Sequence, residues 1–126
     1  MNEMEKKRIL IIEDEKPLSH ALALKLSHEG FDVVATESGE EGLQYLAKEK
    51  FDLVLTDLII PGVDGFKILE TMQAKKMKTP VIVITNLNQE EDKKRVFDLG
   101  AASYFVKSNS PISEIVESVK NKINAS

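Results

Sequence analysis

The chain of 126 residues contains no cysteine. That excludes disulfides and thiolate metal sites, and it suits a reducing compartment. No apolar run approaches the ~20 residues of a membrane-spanning helix. No signal-peptide pattern opens the chain, because Met1 to Arg8 is polar and the apolar run after it is short. A cytoplasmic protein without membrane contact is the expectation. Nucleotide-binding glycine patterns, GxGxxG or Walker A, are also missing. The net charge of −4 gives no strong attraction to nucleic acid, so no direct nucleic-acid contact is expected. Lys6, Lys7 and Arg8 form a short basic cluster that reads as a solvated N-terminal tail. The only two histidines, His20 and His28, make a poor metal site and read as solvated positions on one helix.

What is present is a repeating pattern. Apolar runs at Arg8–Ile12, Asp32–Thr36, Leu53–Asp57, Val81–Thr85 and Ser103–Val106 are each followed by a longer amphipathic segment. The first, third and fourth runs are near-continuous in branched residues, as in parallel strands buried on both faces. Among the segments between them, Ile112, Ile115, Val116, Val119 and Ile123 lie on one helical stripe. Ser110 reads as the N-cap of that helix, with Pro111 in its first turn. The first helix carries Pro17 early, with Leu18, Ala21, Leu22 and Leu26 as its apolar positions. Gly30 and Gly100 fall just past two helix ends, where a left-handed residue is wanted. The alternation predicts an α/β fold, a (βα)5 three-layer sandwich around a parallel five-stranded sheet. Residues 1–126 read as one domain with its core at about 7–123, without linker or low-complexity tract.

Ligands in such sheets bind beyond the carboxyl ends of the strands. Glu13, Asp14 and Glu15 follow the first run, Asp57 ends the third, Thr85 ends the fourth with Asn86 after it, and Lys107 follows the fifth. If the first and third strands are neighbours, Asp14 and Asp57 face each other, and Thr85 and Lys107 reach the same rim. Crowded carboxylates repel, and a hard divalent cation such as Mg2+ relieves that repulsion with oxygen ligands. An acid, a metal, a lysine and a hydroxyl around one point form a phosphoryl-handling site, in which the spare carboxylate can be the nucleophile.

The ordered motifs "IIEDE", "LTDLIIPGVDG", "VIVITN" and "GAASYFVKS" resemble those of the receiver (CheY-like) domains of two-component response regulators. The resemblance implies a flavodoxin-like fold with strand order 2-1-3-4-5. It implies a phosphorylation-dependent signalling switch and not a turnover enzyme. Asp57 would accept a phosphoryl group from a histidine kinase or phosphotransfer protein. Asp14, Asp57 and the backbone carbonyl of Ile59 would bind Mg2+, with Glu13 helping through water. Lys107 would pair with a phosphoryl oxygen, Thr85 would swing toward it, and Tyr104 would turn inward in concert. A downstream protein would dock on the face of the fourth helix, fifth strand and fifth helix. The chain would be a monomer, with dimerisation on phosphorylation as the alternative.

Two positions depart from the family's pattern. Ser108 follows the lysine where proline is common, which predicts a trans Lys107–Ser108 peptide. Asn86 follows the threonine where a very small residue is usual. Two rival readings remain. An aspartate-nucleophile phosphatase would want a second acid two residues after the first, where Ile59 stands. A receiver-like docking domain that is never phosphorylated would have no use for the intact acid set.

Overall fold

The computed structural model describes residues 6–125. Five strands, β1 (Arg8–Ile12), β2 (Asp32–Thr36), β3 (Leu53–Thr56), β4 (Val81–Thr85) and β5 (Ser103–Val106), form one sheet in the order β2-β1-β3-β4-β5. Every neighbouring pair is parallel. Five α-helices alternate with them: α1 (Lys16–His28), α2 (Gly39–Lys48), α3 (Gly65–Ala74), α4 (Glu90–Asp98) and α5 (Ile112–Asn124). The expected fold and strand order are thus observed. Asp57 is the first residue past β3, so the acid lies beyond the ladder instead of ending it.

The two-residue period of the strands sorts side chains to opposite faces. Ile9 and Ile11 of β1, Leu53 and Leu55 of β3, and Ile82 and Ile84 of β4 meet α1 and α5 through Leu22, Leu26, Ile115, Val116, Val119 and Ile123. Leu10, Ile12, Val54, Val81 and Val83 point the other way, onto Leu46, Ile68, Leu69, Met72 and Val96 of α2, α3 and α4. Truncating one of the fully buried residues, such as Leu22 or Leu55, costs about 2–5 kcal/mol in cores of this kind. This two-sided core holds the strand ends rigid, and the site is built on those ends.

Local signals read from the sequence are mostly kept. Gly30 and Gly100 adopt φ of 95° and 99° past the ends of α1 and α4. His20 and His28 are exposed on α1. No peptide bond among the described residues is cis, so Lys107–Ser108 is trans. Two readings are corrected. Pro111, not Ser110, is the N-cap residue of α5, with extended backbone at φ −60°, ψ 150°. Its fixed φ is compatible with the entry to the helix, and Ser110 ends the short turn before it. Arg8 is not part of a solvated tail. It opens β1, and its guanidinium reaches Asp32 at 3.1 Å and Glu49 at 2.8 Å while lying over the Phe51 ring. No helix among the described residues is long and apolar enough to cross a membrane.

Candidate functional site

The carboxyl ends of β1, β3, β4 and β5 converge on an open crevice of about 240 Å³ lined by Asp14, Glu15, Asp57, Ile59, Thr85, Asn86 and Lys107. Asp57 reaches it because its own amide continues the pairing past the strand end, donating to the Ile12 carbonyl at 3.1 Å. Its carboxylate is divided in role. Oδ1 accepts from the Leu58 and Ile59 amides at 2.6 and 3.2 Å. Oδ2 faces Lys107 Nζ at 2.7 Å. The loop then folds back tightly, with the Gly65 amide donating to the Leu58 carbonyl at 3.0 Å. A Cβ on Gly65 would lie 2.3 Å from the Asp57 carbonyl oxygen, so any larger residue would push the acid-bearing backbone out of place.

Lys107 is the electrostatic hub. Its ammonium lies 2.7 Å from Asp57, 2.7 Å from Glu15 and 2.9 Å from Glu13. Burial opposes its charge, but hydrogen bonds to Asp57, Glu15 and Glu13 outweigh burial and hold the lysine pKa above its usual range. Glu13 is fully buried. Its Oε2 accepts from Lys107 and from the Glu15 amide. Oε1, although close to the ammonium, lacks hydrogen-bond geometry and accepts from no donor. Burial pushes the Glu13 pKa up, and Lys107 only partly offsets that. The native state therefore holds a Glu13 proton more tightly than the unfolded chain does. Stability from this group is full below the ordinary glutamate range and is lost as pH rises through the raised value.

Glu13, Asp14 and Asp57 present oxygens within 4.8 Å of one another. Together with Glu15 they outnumber the single ammonium, leaving excess negative charge around an orphaned buried oxygen. Hard oxygen donors crowded in this way fit a divalent cation such as Mg2+. Saturating Mg2+ at a hundredfold over its Kd is expected to stabilise the protein by about 2.7 kcal/mol. Asp14→Asn should lose most of that gain, with calorimetric melting in Mg2+ and in chelator as the measurement.

Thr85 is fully buried at the strand tip, and its hydroxyl oxygen accepts from the Leu87 amide at 3.4 Å. The Tyr104 hydroxyl donates to the Leu87 carbonyl. Threonine and tyrosine are thereby joined through one residue. Burial first, then the charges of Asp92 and Asp57, raise the Tyr104 pKa, so the ring keeps its proton to donate. Tyr104 also stacks obliquely on the half-exposed Phe97 of α4, with centroids 6.5 Å apart, and Lys93 lies over its ring.

The sequence model of the response regulator receiver domain family matches residues 9–120. This chain belongs to that family. The receiver domain is 38% identical over 104 residues to the transcriptional regulatory protein YkoG of Bacillus subtilis, covering 82% of this chain and 46% of that protein. It is 35% identical to the cell cycle response regulator CtrA of Brucella ovis, covering 79% of this chain and 43% of that one. The chain thus spans less than half the length of these curated relatives. A crystal structure of a CheY-like receiver domain protein from Methanospirillum hungatei JF-1 superposes with a TM-score of 0.90 at 26% identity, over 96% of each chain.

Of the residues singled out from the sequence, Glu13, Asp14, Asp57, Ile59, Thr85 and Lys107 lie at this edge of the receiver fold, while Tyr104 sits within β5 opposite Val83 and reaches toward it through its hydroxyl on the Leu87 carbonyl. Sequence reasoning missed the contact of Glu15 with Lys107, the anchoring of Asp57 by the Leu58 and Ile59 amides, and the Leu87 link. It also missed a bond between Asn86 and Ser108. The only advance sign of that bond was that both residues depart from the family's pattern.

Proposed function

We propose that this receiver domain is a phosphorylation-dependent switch of the two-component type, with Asp57 as the phosphoacceptor. The observation carrying this reading is the Asp57 carboxylate, with one oxygen held by two amides and the other 2.7 Å from the ammonium of Lys107. Asp57 Oδ2 attacks the phosphorus of a phosphohistidine on a histidine kinase or phosphotransfer protein. The P–N bond breaks with its electron pair left on the imidazole, which takes a proton from solvent. Asp14, Asp57, the Ile59 carbonyl and, through water, Glu13 would hold Mg2+. When bound, Mg2+ supplies positive charge beside the phosphoryl oxygens. Lys107 turns from Asp57 to a phosphoryl oxygen, while Asp57 stays anchored through Oδ1.

The Thr85 hydroxyl exchanges its weak contact with the Leu87 amide for a hydrogen bond to the phosphoryl group. Because Tyr104 is tied to the Leu87 carbonyl, that move reaches the surface where Tyr104 meets Phe97. The face of α4, β5 and α5 is accordingly the docking surface of a downstream protein. The fold so used is one domain, a cytoplasmic signalling part and not a turnover enzyme. Incubation with acetyl phosphate and Mg2+ should add one phosphoryl group per chain by intact mass, with little steady release of phosphate. Continuous release without a stoichiometric mass gain would favour the phosphatase reading instead.

A further inference from the structure

The β4–β5 ladder ends at the pair Thr85 and Val106. Beyond it the chain turns through a single 3-10 turn, Lys107–Asn109, whose own N-cap residue, Val106, makes no side-chain cap bond. Such turns are poorly hydrogen-bonded, and their first N–H groups have no partner within the turn. Here the Ser108 N–H donates to Asn86 Oδ1 at 3.1 Å. Asn86 directly follows Thr85 and lines the crevice. One side-chain bond thus joins the residue after the hydroxyl to the residue after the ammonium.

Beyond what the end of β5 sets for its backbone, the Lys107 ammonium is held by charge, through its contacts with Glu13, Glu15 and Asp57. That charge is redistributed during the reaction, because Asp57 exchanges its carboxylate charge for that of the dianionic phosphoryl group it carries as an acyl phosphate. The bond between Asn86 and Ser108 is neutral and survives that change. We propose that Asn86 is a positioning residue. Its carboxamide anchors the Ser108 amide, so the backbone of Lys107 keeps its place over the crevice while the charges around its ammonium change. A proline at 108 would have no N–H to give, so Asn86 and Ser108 act as a matched pair.

The inference rests on the phosphoacceptor reading of Asp57. In Asn86→Ala, phosphorylation by acetyl phosphate is expected to slow about fivefold, the scale of one neutral hydrogen bond, with the melting temperature lowered by no more than a few degrees. In the unphosphorylated protein, the Ser108 amide should exchange with solvent faster and shift in the NMR spectrum, and the Lys107 ammonium resonance should broaden. Ser108→Pro should show the same loss of rate, and the double variant should be no slower than either single one. A wild-type rate with unmoved Ser108 and Lys107 signals in Asn86→Ala, or losses that multiply in the double variant, would overturn the proposal. If the wild type itself takes no phosphoryl group, the phosphoacceptor reading fails, and the two NMR signals alone decide the clamp.

Discussion

Asp57→Asn is expected to abolish phosphorylation while leaving the fold intact. The amide oxygen of asparagine can still accept from the Leu58 and Ile59 amides, as Asp57 Oδ1 does at 2.6 and 3.2 Å. The loop that closes on Gly65 therefore keeps its anchor. What is lost is the second oxygen, the one facing Lys107, and with it the nucleophile. Intact mass after incubation with acetyl phosphate should show no gain, and near-ultraviolet circular dichroism should be unchanged. A gain that survives the substitution would mean that a neighbouring acid takes the group, and the assignment of Asp57 would fall.

The second large effect is expected at Lys107. Lys107→Ala leaves Glu13 buried, with its other carboxylate neighbours, and no ammonium to offset them. Removing one partner from a buried ion pair typically costs about 3–5 kcal/mol. Urea unfolding in chelator should show a loss of that order, and Mg2+ should restore much of it by supplying positive charge to the same oxygens. Acidification should help as well. Without Lys107, the Glu13 pKa rises still further above that of the unfolded chain. The deficit is therefore present above this raised range and shrinks as pH falls through it toward the ordinary glutamate value. In an Asp57→Asn background the same lysine substitution should cost less, because one of the stranded charges is already gone. Equal losses in both backgrounds would show that Lys107 is not held by Asp57.

Most of the architecture was legible because each signal was local and repeated. Branched runs marked strands, helical stripes marked their partners, and the recurrence of the two dictated a parallel sheet. Once the strand order was supplied by resemblance, topology alone carried Asp14, Asp57, Thr85 and Lys107 to one edge. The missed features share a different physics. Arg8 looked like a tail because its partners, Asp32 and Glu49, are remote in sequence. The contact of Glu15 with Lys107 and the bond from Ser108 to Asn86 depend on side-chain reach across strand ends, 92 and 22 residues apart. The cap of α5 shifted by one residue because local rules left Ser110 and Pro111 competing for it, and the turn before the helix decided the outcome.

The ammonium of Lys107 meets a carboxylate 94 residues earlier in the chain, at Glu13. Contacts of such span form only after the intervening loops have been closed at an entropic cost. During synthesis the acids past the ends of β1 and β3 emerge long before the lysine that partly offsets their charge. A nascent chain ending before β5 has Asp57 but neither its counter-charge nor the strand that carries it. The charge balance of the crevice is therefore completed only when the last strand docks. An unfinished polypeptide holds the same acids with no ammonium opposite them.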